Sequence, residues 1–257
     1  MFLPSFELHG KVVVVTGAGR GIGRAIAIGM AEAGADVALF SRTEEDLIEV
    51  AEHIKTLGRR ALPVVTDVTS KVSIQQALRK VSEEFSEVNI LVNNAGMNIR
   101  SKALDVTEEE WQKIMDTNLK SAFMMSQEVG RQMKDSNIKG RIINISSVAG
   151  HVALRTGIVY AATKAAMIQM TKVLALEWGE YGINVNSIGP WYFRTPLTEK
   201  LLQDQKYVNE ILSVTPLKRV GELPELVGPA VFLSSDAANY ITGQTLFVDG
   251  GMTIHGF

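Results

Sequence analysis

A tyrosine and a lysine, Tyr160 and Lys164, lie four residues apart in a segment whose apolar pattern predicts a helix, so they share one helix face. A free phenol titrates near pH ~10, and a nearby ammonium favours phenolate and lowers that pKa. Ser147 ends an apolar run thirteen residues upstream, where its hydroxyl can hold a substrate oxygen. These side chains predict proton exchange with an alcohol or ketone oxygen, although a tyrosine–lysine pair alone also fits a solvated helix surface.

The hydride that such a reaction requires comes from a nicotinamide, and the sequence has a matching phosphate-binding segment. The first apolar run leads into Thr16-Gly17-Ala18-Gly19-Arg20-Gly21-Ile22-Gly23 and then into a helical pattern. Glycines let backbone N–H groups approach a pyrophosphate, and the helix N-terminus adds positive potential. An ordinary strand-to-helix turn has similar glycines, but the position at the start of a β-α-β unit favours a dinucleotide site.

Cofactor choice is read at the end of the second predicted strand. Enzymes that select NAD usually have an acidic residue there, whereas this chain has Ser41-Arg42, with Arg20 nearby in the glycine loop. Two guanidinium groups can bind a 2′-phosphate bidentately. The sequence therefore predicts NADP(H), with NAD possible, since Arg42 also fits a solvated residue at a helix start.

The composition bounds the remaining function classes. The chain has 257 residues, 46% of them hydrophobic, which suits one α/β domain over residues 1–257. A net charge of -2 and scattered basic residues do not suggest a nucleic-acid or membrane partner. Cysteine is absent, the four histidines (His9, His53, His151 and His255) lack metal-ligand spacing, and the N-terminus does not resemble a signal peptide. We expect a cytoplasmic protein without a metal site.

Short apolar runs alternate with helical patterns, which predicts an α/β fold with a doubly wound parallel sheet. Thr43 and Thr107 have the sequence context of helix N-caps, and Glu110 completes a capping box with Thr107. The predicted strands are Lys11–Val15, Asp36–Phe40, Ala61–Val65, Ile90–Val92, Arg141–Ile145, Asn184–Ile188 and Gln244–Val248. The predicted helices are Gly21–Ala33, Glu44–Thr56, Lys71–Phe85, Glu108–Met133, Gly157–Tyr181 and Pro224–Ser235.

The segment Gly189–Gly221 interrupts this alternation. It contains three consecutive aromatic residues at 191–193, Pro190 and Pro196 on either side of them, and a short helical pattern near Leu197–Gln203. A long, partly helical insertion after a strand is where open α/β sheets place a substrate lid. We therefore expect residues 189–221 to cover the substrate.

These motifs together resemble the short-chain dehydrogenase/reductase family. The likeness rests on the glycine loop, Asn93-Asn94-Ala95-Gly96, Ser147 and Tyr160-x-x-x-Lys164, and it extends to Asp249-Gly250-Gly251. It implies a single Rossmann-like domain with a seven-stranded parallel sheet, helices on both faces, and a homotetramer whose contacts involve the two long helices.

The resemblance also assigns residues. It adds Asn118 to Ser147, Tyr160 and Lys164 as a fourth catalytic residue that places a water in a proton relay, and it lets Lys164 contact the nicotinamide ribose. Asp67 resembles the adenine-contacting residue, and Ile188 and Thr195 match positions near the carboxamide. The further cofactor positions are Val68, Asn94, Ala95, Gly96 and Pro190.

Two positions depart from the family pattern. Pro190-Trp191 replaces the usual Pro-Gly, so the geometry near the nicotinamide should differ from the family pattern, and we expect Trp191 in the wall of the substrate pocket. Pro229 falls inside a predicted helix, where we expect a kink eased by Gly228.

Within the family, the segments 96–100 and 192–196 are most similar to gluconate 5-dehydrogenases. Arg100, Arg155 and Arg194 fall in predicted loops around the site, and a sugar acid needs a cationic partner. These arginines fit solvent or subunit contacts equally well. Arg100, Ser147, Tyr160 and Trp191 are the candidate substrate residues. The alternatives are a 3-oxoacyl thioester reductase and a non-catalytic NADP-binding regulator, against which the intact Ser147, Tyr160 and Lys164 argue.

Overall fold

The computed structural model describes residues 2–254 and contains one sheet of seven parallel strands, ordered β3-β2-β1-β4-β5-β6-β7. The strands are close to the predicted ones, because each is an apolar run covered on both faces. Pro63 is accommodated because β3 lies at the sheet edge, where one side of the strand needs no hydrogen-bond donors. The strands are β1 Val12–Thr16, β2 Asp36–Ser41, β3 Ala61–Val65, β4 Ile90–Asn93, β5 Arg141–Ile145, β6 Asn184–Pro190 and β7 Thr245–Val248.

Helices cover both faces of the sheet and bury one apolar layer on each. Val13 and Val15 of β1 face one layer, whereas Val12 and Val14 face the other. The helices are α1 Gly21–Glu32, α2 Glu44–Thr56, α3 Lys71–Phe85, α4 Glu108–Met115, α5 Ser121–Asp135, α6 Ile158–Trp178, α7 Glu199–Leu202, α8 Gln205–Ser213 and α9 Pro224–Ser234. The first layer packs under α1, α2 and α9, and the second under α3, α5 and α6.

Several predicted boundaries are wrong. The single helix predicted over Glu108–Met133 is divided by a π-helical segment, Asp116–Lys120, and continues to Asp135. The helix predicted to end at Tyr181 becomes a 3₁₀ turn after Trp178. Helical periodicity does not distinguish these variants, because each shifts the register by only one residue per turn.

The predicted N-caps differ. Thr107 Oγ1 accepts a hydrogen bond from the backbone N of Glu110 at 3.1 Å, but the reciprocal bond of a capping box is not found within residues 2–254. Thr43 occupies the N-cap position of α2 without a side-chain cap bond; its backbone N donates to Ser41 Oγ instead. Pro229 lies inside α9, which continues through it to Ser234.

The segment 189–221 contains more helix than predicted. The pattern near Leu197–Gln203 forms only the short α7, and α8 follows it as an additional helix. Tyr192, Ile211 and Val220 form a small apolar cluster of their own, against which Trp191 and Tyr207 pack. The segment is thus a separately packed unit above the carboxyl ends of the strands.

Candidate active site

A cavity of about 450 Å³ lies beyond the carboxyl ends of β1 and β4 and extends beneath the segment 189–221. Chain order reverses between β1 and β4, which is where open α/β sheets bind ligands. Of the predicted site residues, 19 line this cavity: Gly17, Gly19, Arg20, Gly21, Ile22, Ser41, Arg42, Asp67, Val68, Asn94, Ala95, Gly96, Arg100, Ser147, Tyr160, Lys164, Pro190, Trp191 and Thr195. Gly23 and Asn118 lie outside its lining.

The glycine loop is shaped by close backbone contacts. A Cβ on Gly23 would come within 2.2 Å of the Gly17 carbonyl oxygen, so this residue keeps α1 tight against the loop. Gly17 and Gly21 have φ of 65° and 58°, which side chains disfavour. Asn94 fastens the loop from the other side, since its Nδ2 donates to the carbonyl oxygens of Thr16 at 3.0 Å and Gly17 at 3.2 Å.

One end of the cavity is cationic. Arg20 and Arg42 both line it, and neither takes part in an ion pair within the described residues. Asp67 lies beside Arg42; hydrogen bonds from Thr69 lower the pKa of this carboxyl, burial opposes them, and the charge of Arg42 lowers it further. Asp46 also lines this end, and a Cβ on Gly19 would lie 2.7 Å from its Cβ. Asp46 is not among the predicted site residues, because an acid in the first turn of a helix is explained by its favourable interaction with the helix dipole.

The glycine cradle and the two free guanidinium groups together fit a dinucleotide with a 2′-phosphate. The loop could hold a pyrophosphate because its glycines leave the backbone N–H groups accessible. The two arginines would hold the 2′-phosphate, and Lys164 would reach the ribose at the far end.

Ser147, Tyr160 and Lys164 meet at the opposite end of the cavity. Ser147 follows β5, and its Oγ accepts from the backbone N of Ala149 at 3.1 Å. Tyr160 and Lys164 share a face of α6, and Lys164 Nζ lies 5.6 Å from the centroid of the Tyr160 ring. Lys164 is only 4% exposed, and Nζ donates to the Ile145 carbonyl oxygen at 2.7 Å.

The electrostatics differ from the prediction that Lys164 lowers the pKa of Tyr160. Burial raises the pKa of Tyr160, while a hydrogen bond with Ser147 and the charge of Arg100 act in the opposite direction. Burial also lowers the pKa of Lys164 to about 8, which weakens it as a cationic partner. In the protein alone, Arg100 is therefore the cation that acts on the phenol.

Asn118 has a different environment from the other three. It lies in the π-helical segment, fully buried, and its Oδ1 accepts from the backbone N of Met97 at 2.8 Å. Its Nδ2 donates to the Met97 carbonyl oxygen at 2.9 Å. The carboxamide thus fastens the loop after β4, and the water-placing role stays a prediction. Ile188 is likewise buried in the core rather than in the cavity wall.

The three candidate arginines differ in their ion pairs and in whether they line the cavity. Arg155 forms an ion pair with Glu210, and Arg194 Nε donates to Glu222 Oε1 at 3.2 Å; neither lines the cavity. Arg100 lines the cavity, and none of the ion pairs in the described part of the chain involves it. Its polar partner is the Tyr207 hydroxyl, to which Nη1 donates at 3.1 Å.

Trp191 is accommodated without left-handed backbone, since the non-glycine residues with positive φ in the described chain are Ser86, Asn137 and Lys218. Its Nε1 donates to Thr215 Oγ1 at 3.0 Å, and its ring packs edge-on against Tyr192. Trp191 therefore forms a fixed wall of the cavity.

No side-chain cluster or helix in the described residues indicates a metal site or a membrane span. His151 packs against the ring of Phe247, and His255 lies outside the described residues. Within residues 2–254, no three acidic or histidine side chains gather as metal ligands. In the same range, no helix is both long and apolar enough to cross a bilayer.

A glycine loop suited to a pyrophosphate and a serine–tyrosine–lysine set at the same cavity define a dinucleotide-dependent oxidoreductase. Residues 17–253 match the family model described as enoyl-(acyl carrier protein) reductase. The chain belongs to this branch of the short-chain dehydrogenase/reductase family, and the predictions of family, fold class and oxidoreductase activity are confirmed.

Named relatives match almost the whole chain. A tropinone reductase homolog of Arabidopsis thaliana is 42% identical, over 98% of this chain and 96% of the relative. A 2-dehydro-3-deoxy-D-gluconate 5-dehydrogenase of Dickeya dadantii is 41% identical, over 98% of both. A gluconate 5-dehydrogenase from Burkholderia cenocepacia, crystallised with NADP and tartrate, is 38% identical with a TM-score of 0.93, over 97% of both chains.

Proposed function

We propose that this protein interconverts a sugar acid and its keto form, such as gluconate and 5-ketogluconate, with NADP(H) as hydride carrier. Arg100 carries the proposal. It is a guanidinium in the cavity wall without a carboxylate partner in the described chain, on the same side as Tyr160. A cation that lines a cavity in this way is complementary to a substrate carboxylate. The names of the Dickeya and Burkholderia relatives support the same substrate class.

Each site residue has a separate role in the proposed reaction. The nicotinamide, when bound, supplies or accepts the hydride. Ser147 holds the substrate oxygen, and Tyr160 donates the proton to it during reduction or removes it during oxidation. Lys164, held by the Ile145 carbonyl, binds the ribose and keeps the phenol's surroundings fixed. Trp191 closes the pocket, and residues 189–221 exclude water above it.

Arg20 and Arg42 favour NADP(H) over NAD(H) because both reach the cavity free of ion pairs within residues 2–254. The homotetramer and the cytoplasmic location stay predictions that rest on the family resemblance. Exposed apolar side chains on α5 and α6, Phe123, Val173 and Leu176, are consistent with subunit contacts through these helices.

A 3-oxoacyl thioester reductase remains the alternative to be tested. An acyl carrier substrate needs an apolar channel for its acyl arm, whereas the pocket wall near Tyr160 contains Arg100. A catalytically inactive NADP-binding regulator would not require the buried Lys164 beside Tyr160, because burying an ammonium is costly.

The Arg100→Met variant tests the proposal. We expect the KM for 5-ketogluconate to rise about tenfold to a hundredfold, since a charge-assisted hydrogen bond contributes roughly 1.5–3 kcal/mol. The KM for a neutral ketose of the same length should change less than twofold. Arg194→Met is the matched control, because that arginine pairs with Glu222 outside the cavity. Equal effects of Arg100→Met on both substrates would contradict the carboxylate role.

A further inference from the structure

Behind Arg100 lies a pair of phenols from the segment 189–221. The hydroxyl of Tyr192 forms a hydrogen bond with the hydroxyl of Tyr207, and Arg100 Nη1 donates to the Tyr207 oxygen. Tyr192 lines the cavity, whereas Tyr207 does not and stands in a second layer. The three side chains thus form a chain from α8 to the cavity wall.

Tyr207 is held firmly in this place. Asp204 caps α8, and its Oδ1 accepts from the backbone N of Lys206 at 2.9 Å and of Tyr207 at 3.3 Å. The Tyr207 ring packs edge-on against Tyr192, with ring centroids 5.9 Å apart. The Arg155 guanidinium covers the ring at 5.8 Å and is tied to Glu210 on the same helix. Both the backbone and the ring of Tyr207 are therefore fixed.

The hydrogen bonds among these three side chains leave one hydroxyl donor unused. Two phenols have two O–H groups, and their mutual bond uses one of them. Either hydroxyl can donate in that bond, and the charge of Arg100 acts on both phenols; with Tyr207 as the donor, its O–H is directed to the Tyr192 oxygen. The Tyr192 O–H then has no acceptor among the described residues and lies at the cavity wall beside Arg100.

We propose that Tyr207 is a positioning residue that directs the Arg100 guanidinium and the Tyr192 hydroxyl together at the acid end of the substrate. The pair matches a carboxylate with a neighbouring hydroxyl, as at the first two carbons of an aldonic acid. Arg100 binds the carboxylate, and the Tyr192 O–H donates to an adjacent oxygen. This inference rests on the proposed function and names the side chains that would make the enzyme specific for the acid.

The Tyr207→Phe variant of the full-length enzyme tests this role, because it keeps the ring and its packing and removes only the hydroxyl. With saturating NADPH, we expect the KM for 5-ketogluconate to rise about tenfold, equivalent to ~1.4 kcal/mol. The kcat should stay within about twofold, and the KM for a neutral ketose should not change. Tyr240→Phe is the matched control, since Tyr240 is fully exposed.

The outcomes separate this inference from the proposed function. An unchanged KM in Tyr207→Phe, or an equal rise for acid and neutral ketose, overturns the positioning role even where Arg100→Met loses acid preference. A wild-type enzyme without any preference for the acid overturns both. If Tyr207→Phe fails to fold, Tyr192→Phe provides the same KM comparison, with the same expected and contradicting results.

Discussion

Replacing Lys164 should make the unliganded protein more stable while removing its activity. Lys164 is buried on α6, and its contact with the Ile145 carbonyl does not neutralise its charge. Burial lowers the pKa of Lys164 from 10.5 to about 8, so at neutral pH the fold holds a charged ammonium at a cost. We expect Lys164→Met to relieve that cost and to lose measurable turnover, because the proposed contact with the coenzyme ribose is lost.

The magnitude follows from the change in pKa. The interval from 10.5 to about 8 corresponds to roughly 3 kcal/mol, at ~1.36 kcal/mol for each tenfold change. The lost hydrogen bond to the Ile145 carbonyl offsets about 1.5–2 kcal/mol of this. Lys164→Met should therefore stabilise the unliganded protein by about 1 kcal/mol at neutral pH.

The sign of the pH dependence is a separate check. The pKa of Lys164 is lower in the folded protein than in the unfolded chain, so the unfolded chain binds more protons between about pH 8 and 10.5. Wild-type stability should gain a rising contribution through that window, which the methionine variant lacks. The advantage of the variant should thus shrink as the pH rises.

Urea unfolding followed by circular dichroism, at neutral pH and at several values up to pH 10.5, measures both quantities. Lys172→Met, on the exposed side of the same helix, is the control for a methionine in α6. A Lys164→Met protein that is less stable than wild type at neutral pH, or that keeps the wild-type pH profile, would refute the reasoning.

The remaining predictions concern the phenol and the coenzyme. Tyr160→Phe should lower kcat by roughly 10²–10⁴-fold, the usual contribution of a general acid, while NADPH binding measured by fluorescence stays within about twofold; retained turnover would refute the proton-donor role. Arg42→Asp should shift the ratio of kcat/KM for NADPH over NADH by about tenfold or more toward NADH, because a carboxylate repels the 2′-phosphate. Asp46→Asn should shift the same ratio toward NADPH, with Glu45→Gln, an exposed residue on the same turn, as the control. An unchanged ratio in both variants would mean that the 2′-phosphate is held elsewhere.

Most strands and the glycine turn of this fold can be predicted from the sequence, because the signals for them are local. Apolar runs such as Val12–Thr16 are buried on both faces, and the turn at Gly17–Gly23 has the spacing that its backbone contacts require. The π-helical segment around Asn118 is not visible in this way, since it has the same apolar periodicity as an α-helix. The helix α8 was missed because its polar first turn, Gln205 and Lys206, resembles a loop without the cap from Asp204.

The site is harder to predict where its members are distant in sequence. The sequence alone does not distinguish the three loop arginines, Arg100, Arg155 and Arg194. They differ in the structure because Arg155 pairs with Glu210 and Arg194 pairs with Glu222. Those partners lie 55 and 28 residues along the chain from the arginines that they bind. The role of Tyr207 depends likewise on a contact with Arg100 across 107 residues. Such pairings are set by tertiary packing and have no spacing signal.

The most direct test of the proposed function follows nicotinamide absorbance with the wild-type enzyme. In the oxidation direction, the enzyme receives gluconate with NADP⁺ or NAD⁺. In the reduction direction, it receives 5-ketogluconate or an acetoacetyl thioester with NADPH or NADH. We expect turnover of the sugar-acid pair, faster with the phosphorylated coenzyme, and none with the thioester. Turnover of the thioester alone would contradict the role given to Arg100 and assign the cavity to an acyl substrate.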